Sequence, residues 1–330
     1  MVKDVKAMIM AAGVGSRLEP LTKLVPKPLV PVANKPVMDI LFENLAELGI
    51  TDVICNTYYL AEQIISRYKN SNLGINFNYV KEETLSGTAG GVKKCQFFFD
   101  KNSTFVVLSA DGLSNADLEH GIEVHKKSNA IATIGIKQIP MKDVPHFGVV
   151  VADNEGFITE FQEKPSIEQA KSNFINTGIY IFNYKIFDYA KNVFPKLLTE
   201  HAINTFEVKE YWSDIGTISQ YIQSMHDLFD EKCFFKHAQI NKQKDGAYIS
   251  ESSSKIDETV QFKGNSTIGN NCVIGKNCMI ENCIIWDNVE IADGVKLSDC
   301  VIASNCVIKA DLCSQIVGAN EIIETKAVEI

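Results

Sequence analysis

No stretch of this 330-residue chain holds 18 consecutive apolar residues, so no membrane-spanning helix is expected. The opening Met1-Val2-Lys3-Asp4-Val5-Lys6 leads toward a strand-like segment without the long apolar core of a secretion signal. The nine cysteines include no Cys-x-x-Cys pair and are odd in number, which speaks against a disulfide framework and for free thiols in a cytoplasmic chain. Positive charge is scarce: 32 lysines and arginines face 41 aspartates and glutamates, a net charge of −9. That balance excludes a general nucleic-acid binder. It leaves room for a phosphorylated small substrate, because such binding needs positive charge only locally. The six histidines, His120, His125, His146, His201, His226 and His237, all precede residue 250. The last quarter of the chain therefore has no histidine for acyl-transfer chemistry.

What is present falls into two textures. Up to about residue 150, strand-like runs at 5–11, 52–56, 75–80, 104–108 and 130–136 alternate with helix-like stretches at 36–48, 60–68, 88–98 and 116–127. This alternation predicts a parallel α/β sheet with ligands at the strand carboxyl ends. Asn115 is the expected N-cap of the 116–127 helix. Segments 147–151 and 157–161, joined by Asp153-Asn154-Glu155-Gly156, read as a hairpin, 175–182 as a buried strand and 218–229 as a closing helix. A connecting segment is expected over 231–250. Beyond it, Ile256, Phe262, Ile268, Ile274 and Ile280 recur every six residues, and Ile285, Ile291, Leu297, Ile302 and Ile308 continue with some spacings of five. One inward aliphatic and one polar turn per six residues predict a parallel β-helix, three units to a coil and roughly four coils in about 70 residues. Cys272, Cys278, Cys283, Cys300, Cys306 and Cys313 follow this repeat rather than metal-ligand spacing, so they are expected as small residues in the coils, with a zinc site as the weaker alternative.

The richest segment is Ala11-Ala12-Gly13-Val14-Gly15-Ser16-Arg17-Leu18, followed by Pro26-Lys27-Pro28. A hydrophobic strand runs into two glycines, whose backbone can turn N–H groups toward an anion, and Arg17 and Lys27 add fixed charge. Leu18 stands where the dinucleotide fingerprint needs its third glycine, and no Gly-Lys-Ser/Thr follows, so neither that fingerprint nor a Walker loop fits. The plain alternative is an ordinary strand–helix turn.

Together with Pro20-Leu21-Thr22 and Pro26-Lys27-Pro28-Leu29-Val30-Pro31-Val32-Ala33-Asn34-Lys35-Pro36, this loop resembles that of the sugar-nucleotide pyrophosphorylases, and most of all the mannose-1-phosphate guanylyltransferase branch with C-terminal hexapeptide repeats. The resemblance implies a Rossmann-like nucleotidyltransferase domain (a mixed, mostly parallel sheet) over 1–230, a linker over 231–250 and a left-handed parallel β-helix over 251–330. It implies that Ala11, Ala12, Gly13, Gly15, Ser16 and Arg17 hold a nucleoside triphosphate, with Lys27 reaching the reacting phosphates.

Asp111, after the apolar run Phe105 to Leu108, is a turn aspartate or, by the resemblance, a Mg²⁺ ligand; the family's Gly-Asp is here Ala110-Asp111. Asp214, in Trp212-Ser213-Asp214-Ile215-Gly216-Thr217, is a helix cap or, by the resemblance, the second Mg²⁺ ligand. Glu163-Lys164 reads as a surface ion pair worth at most ~1 kcal/mol; the resemblance implies instead that Glu163 contacts a sugar hydroxyl and Lys164 the sugar 1-phosphate, with Gly148, Asn176 and Thr177 beside the sugar. Glu82, Gly87 and Thr88 match the base-binding loop, although Leu85-Ser86-Gly87 carries one residue more than the guanylyl pattern. A carboxylate at Glu82 or Glu83 would suit the two donors of guanine; either is otherwise simply solvated.

The resemblance implies transfer of a nucleotide from GTP to mannose 1-phosphate, with release of pyrophosphate. Glucose-1-phosphate thymidylyl or uridylyl transfer, or a regulatory homologue without activity, are the alternatives. Arg17, Lys27, Asp111 and Lys164 are the expected catalytic residues. Homo-oligomers through the β-helix or the catalytic domain are expected.

Overall fold

The computed structural model describes residues 2, 4–189, 193–233 and 238–324, so His237 lies outside the described residues. By packing, the chain divides into two compact units, each drawn from separate stretches of sequence. The first comprises Met1–Gly13 and Met38–Asp214, the second Val14–Val37 and Ile215–Ile330. No helix among the described residues is long and apolar enough to cross a membrane.

The first unit is built on a nine-stranded sheet. Its centre is Lys6–Ala11, apolar on both faces, flanked in parallel by Thr104–Ser109 and Asp52–Thr57, with Asn76–Lys81 parallel at the edge. Continuous apolar runs such as Phe105 to Leu108 suit strands covered on both sides. Phe174–Asn183 then pairs antiparallel with Thr104–Ser109, with Ala132–Gln138 and with Gly148–Ala152, making the sheet mixed. The expected hairpin forms between Gly148–Ala152 and Ile158–Glu163. Its turn is closed by Asp153, whose Oδ1 accepts from the N–H groups of Glu155 and Phe157, both at 2.9 Å, and by Gly156 at φ 83°.

Two local expectations are corrected. The helix Leu118–Ser128 is capped by Asp117, whose carboxylate accepts from the His120 N–H at 2.9 Å; Asn115 is instead tied through its N–H to the Tyr211 carbonyl. The helix expected over 88–98 runs over Gly87–Lys94 and breaks at Cys95 into a single tight turn, Gln96–Phe98.

In the second unit the helix Ile218–Phe229 is capped by Thr217, whose hydroxyl accepts from the Gln220 N–H. The C-terminal strands stack in parallel as a three-faced β-helix. The strand Gln261–Ile268 turns a corner, pairing through Gln261–Lys263 with one face and through Thr267–Ile268 with the next. Gly246–Ser250 pairs in parallel with it, so the stack begins within the stretch read as a linker. Aligned partners lie 18 residues apart at the start (Lys255 with Val273), then 17 (Val273 with Glu290), then 15 (Val307 with Ile322). One five-residue spacing shortens a coil to 17, and the 15-residue coils also take a four-residue step, Ile308 to Leu312, while each inward aliphatic stays in line.

Cys272, Cys278, Cys283, Cys300 and Cys306 lie in this interior, and Cys313 is exposed. The thiols of Cys272, Cys278 and Cys306 donate to the Trp286, Ala292 and Gly318 carbonyls at 3.0, 3.1 and 3.0 Å. On the outside, Asn271, Asn288, Asn305 and Asn320 stack in successive coils, each at positive φ and each bonded through its side-chain amide to the next. Asparagine tolerates this left-handed backbone, where alanine costs roughly 1–2 kcal/mol.

Asn288→Ala should therefore lower unfolding stability by about 1–2 kcal/mol, whereas Asn288→Gly, which relieves the backbone and loses only the ladder bonds, should lose less. Urea denaturation of the two variants measures the difference, and equal losses would remove the backbone explanation.

Candidate active site

Within the second unit, the segment after Gly13 folds as a compact loop. Gly15 sits at φ 74°, and its carbonyl accepts from the Thr22 hydroxyl at 2.8 Å and from the Leu18 N–H at 3.0 Å. A Cβ at Gly15 would stand 3.0 Å from the Lys27 Cβ, so glycine answers both the left-handed backbone and the close approach of Lys27. Ser16 and Arg17 are exposed, and Lys27 is half-buried between the buried Pro26 and Pro28. Two cations thus flank a tight backbone turn, as an anion-binding loop requires.

Within the first unit, a cavity of about 240 Å³ gathers many of the other residues singled out in the sequence. Asp111 and Asp214 both line it. Trp212–Asp214 pairs antiparallel with Gly112–Ser114, and this register sets Asp214 opposite Gly112, next in sequence to Asp111. Two carboxylates on one open cavity are the donor set that Mg²⁺ takes when substrate phosphates and water complete its shell, so the residues fit that ion.

Gly148 and Glu163 line the same cavity and are direct cross-strand partners. A Cβ at Gly148 would lie 3.5 Å from Glu163 Oε2. Lys164 follows at φ 47°, exposed, its N–H on the Phe147 carbonyl at 3.2 Å; it is not among the cavity's lining residues.

Asn176 and Thr177 line the cavity at a bulge in Phe174–Asn183. The Asn176 amide donates to Tyr180 Oη at 3.0 Å and its Oδ1 accepts from the Gly178 N–H at 2.9 Å. Thr177 is buried and its hydroxyl donates to the Gly135 carbonyl at 2.7 Å. Gly178, at φ 75°, has no room for a side chain: a Cβ would stand 2.7 Å from Ser109 Oγ.

Trp212, which the sequence offers only as part of the motif around Asp214, is also a site residue. It lines the cavity, packs edge-on against Phe147 with centroids 5.9 Å apart, and donates its indole N–H to the Thr177 carbonyl at 2.9 Å. Its position two residues before Asp214 in one strand was the available signal.

The loop after Asn76–Lys81 departs from the sequence reading. Glu82 is buried rather than offered to a base. Its Oε1 accepts from the Asn56 amide at 2.8 Å; its Oε2 accepts from the Ser86 N–H at 3.1 Å, the Ser86 hydroxyl at 2.6 Å and Lys94 Nζ at 2.9 Å. Asn56 Oδ1 in turn accepts from the Ala11 N–H at 3.2 Å, tying this loop to the central strand. Burial alone would push the Glu82 carboxyl up; the hydrogen bonds from Ser86, Asn56 and Lys94 outweigh it and bring the group to about 2. Glu83, Gly87, at φ 69°, and Thr88 are exposed. In this loop Glu82 holds the backbone, and Glu83 is the carboxylate facing solvent.

A profile described as nucleotidyl transferase matches residues 6–231, and one described as GMPPB C-terminal domain matches residues 244–327. A UTP–glucose-1-phosphate uridylyltransferase from Synechocystis is 35% identical over 314 residues, covering 81% of this chain and 79% of its own. Mannose-1-phosphate guanyltransferase 2 of Candida glabrata is 33% identical over 248 residues, 69% of this chain and 67% of its own. A Bacillus anthracis chain assigned as a glucose-1-phosphate thymidylyltransferase, crystallised with a sucrose, superposes with a TM-score of 0.62 at 26% identity, over 70% of this chain and 98% of its own.

The Glu82 cluster makes a pH prediction. With the folded carboxyl at about 2, below its ordinary 4.5, its contribution is complete above about 4.5 and drains away as pH falls toward 2. Glu82→Gln should cost on the order of 1–3 kcal/mol at neutral pH and lose less on acidification than the wild type. Urea midpoints at pH 7 and pH 3 compare the two; parallel acid losses would sink the assignment.

Proposed function

The chain belongs to the nucleotidyl transferase family and is a sugar-1-phosphate nucleotidyltransferase; on that premise we propose that it transfers a guanylyl group from GTP to mannose 1-phosphate. The observation that carries the reaction is the cavity joining Asp111, Asp214, Glu163 and Asn176 beside a backbone glycine, Gly148. The choice of GTP and mannose is supported by the C-terminal match at 244–327, the guanyltransferase relative and the exposed carboxylate of Glu83 in the base loop.

In this reading an oxygen of the sugar phosphate attacks the α-phosphorus of the nucleotide. The new P–O bond forms as the bond from the α-phosphorus to the bridging oxygen breaks, and pyrophosphate leaves. The attacking phosphate is already ionised at neutral pH, so no protein nucleophile is needed. The work left to the protein is positioning and neutralisation of charge. Arg17 and Lys27 take the triphosphate, with Arg17 stabilising the departing pyrophosphate. Lys164 takes the sugar phosphate, Glu163 and Asn176 the sugar hydroxyls, and Gly148 leaves room for the sugar. Asp111 and Asp214 would hold Mg²⁺, which when bound supplies charge neutralisation at the α-phosphate.

One observation favours a second base. Glu82, the first candidate acceptor for guanine, is consumed by Asn56, Ser86 and Lys94, and the uridylyltransferase relative is 35% identical. Uridylyl transfer to glucose 1-phosphate is therefore the second reading.

Pyrophosphate release across a matrix of GTP, UTP, dTTP and ATP against mannose, glucose and N-acetylglucosamine 1-phosphates decides between them. The highest kcat/KM is expected for GTP with mannose 1-phosphate. A maximum with UTP and glucose 1-phosphate would replace that reading, and no release with any pair would leave a non-catalytic homologue.

Asp111→Asn and Lys27→Ala should each lower kcat by about 10²-fold or more, the scale of losing one electrostatic stabiliser. A folded Asp111→Asn protein with normal turnover in Mg²⁺ would remove the metal assignment.

A further inference from the structure

The anion loop 14–37 belongs to the same compact unit as the helix Ile218–Phe229 and the β-helix. Its second half is a small hairpin, Pro31–Val32 with Lys35–Pro36, turning through Ala33 at φ 49° and Asn34 at φ 68°. A two-residue hairpin turn of this kind needs positive φ at both positions, which costs alanine, and buried Ala33 is held in it by its surroundings.

Those surroundings are visible. Asn34 Nδ2 donates to the carbonyl of Ile268, in the β-helix, at 2.7 Å. Tyr221, on the Ile218–Phe229 helix, donates its hydroxyl to the Pro31 carbonyl at 2.7 Å. Trp286, in the β-helix, donates its indole N–H to that same Tyr221 oxygen at 2.9 Å, and the two rings meet edge to face. Both side chains are buried, Tyr221 completely. Burial pushes the Tyr221 phenol up, so it stays protonated and remains a donor at working pH.

Pro31 is four residues from Lys27, and the turn between them is closed by the Val30 N–H on the Lys27 carbonyl at 3.1 Å. Lys27 in turn is the residue packed against Gly15. We infer that Tyr221 and Trp286 are positioning residues for the triphosphate: the chain of contacts Trp286–Tyr221–Pro31 fixes where Lys27 stands in the anion loop, and makes the β-helix part of the phosphate-binding apparatus. The inference rests on the reading of 14–37 as the triphosphate loop.

The test uses the full chain and the variants Trp286→Phe and Tyr221→Phe. Trp286→Phe removes the N–H donor while an aromatic ring still fills the site, so it decides the matter should Tyr221→Phe fail to fold. Two measurements are read, amide hydrogen exchange over 14–37 and calorimetric binding of magnesium pyrophosphate, with mannose 1-phosphate as the second probe.

In both variants exchange over 14–37 should quicken while exchange over 284–302 holds. Pyrophosphate binding should weaken by about five- to ten-fold, the scale of one lost buried hydrogen bond, with mannose 1-phosphate binding unchanged. Variants that bind pyrophosphate as the wild type does overturn the inference alone. Faster exchange spread equally over loop and β-helix, or equal losses for both ligands, also overturn it, since that is general destabilisation. A wild-type chain that binds no pyrophosphate overturns the triphosphate reading and this inference with it.

Discussion

The register of the four parallel strands governs what the first unit can do. Met10 is opposite Ser109, Ala11 opposite Thr57, and Thr57 opposite Lys81. The strands therefore end on one line, and the chain leaves the sheet there as Ala12-Gly13, Tyr58, Glu82 and Ala110-Asp111. A slip of one residue in any pair would exchange that strand's side chains between the two faces of the sheet and move its loop. The line is also held from outside the ladder: the Ala11 N–H bonds to Asn56 Oδ1, and Asn56 to Glu82, so three of the exits share one hydrogen-bonded chain. A polar chain of this kind is stable when buried because every member has a partner.

On the other side of Thr104–Ser109 the sheet becomes antiparallel, and this change makes the cavity. Phe174–Asn183 bulges between Asn176 and Tyr180 against Ala132–Gln138, with Gly178 at positive φ. Asn176 and Thr177, at the bulge, line the space that Asp111, Asp214 and Glu163 also line. Gly135 is part of the same construction, since a Cβ there would stand 2.8 Å from the Thr177 hydroxyl that its own carbonyl accepts. Acidic side chains and small backbone positions thus converge by topology, while the cations singled out in the sequence lie on loops.

The β-helix was the most legible part of the chain because its rule is local. One inward aliphatic per six residues is visible in any window, and the shortened units show directly as spacings of five. The strand Gly246–Ser250 escaped because it begins a stack rather than continuing one. It contributes Tyr248 and Ile249 but lacks the recurring turn residues, and only its pairing with Gln261–Ile268 gives it away. The anion loop was legible through glycine and charge together. Glu82 was not, because its partners are Asn56, on the strand Asp52–Thr57, and Ser86 and Lys94, at the two ends of the helix Gly87–Lys94. A glutamate beside a glycine-rich loop looks the same in sequence whether it faces a ligand or holds the loop from below. Asp117 displaced Asn115 as a cap for a similar reason: both residue types cap well, and the helix begins only at Leu118, so it is Asp117, the residue just before it, whose carboxylate reaches the His120 N–H.

Tyr221 shows how one atom can couple separate parts of a unit. The indole N–H of Trp286 is a donor with no acceptor capacity, and the Pro31 carbonyl is an acceptor on a residue that has no N–H of its own. Facing each other directly they would satisfy one another; held apart by the helix Ile218–Phe229, both would be buried unpaired, at a cost of roughly 1–3 kcal/mol each. A phenol hydroxyl accepts from the first and donates to the second while its ring fills apolar space, and serine or threonine at this position could supply the hydroxyl but neither the reach nor the ring. The loop, the helix and the β-helix therefore share one satisfied oxygen at a fixed point, a constraint of direction that apolar contact alone would not impose. Hydrophobic packing tolerates sliding, whereas a hydrogen-bonded chain with one geometry does not, and for a loop whose task is to present cations to phosphates at fixed positions the second kind of contact is the one that matters.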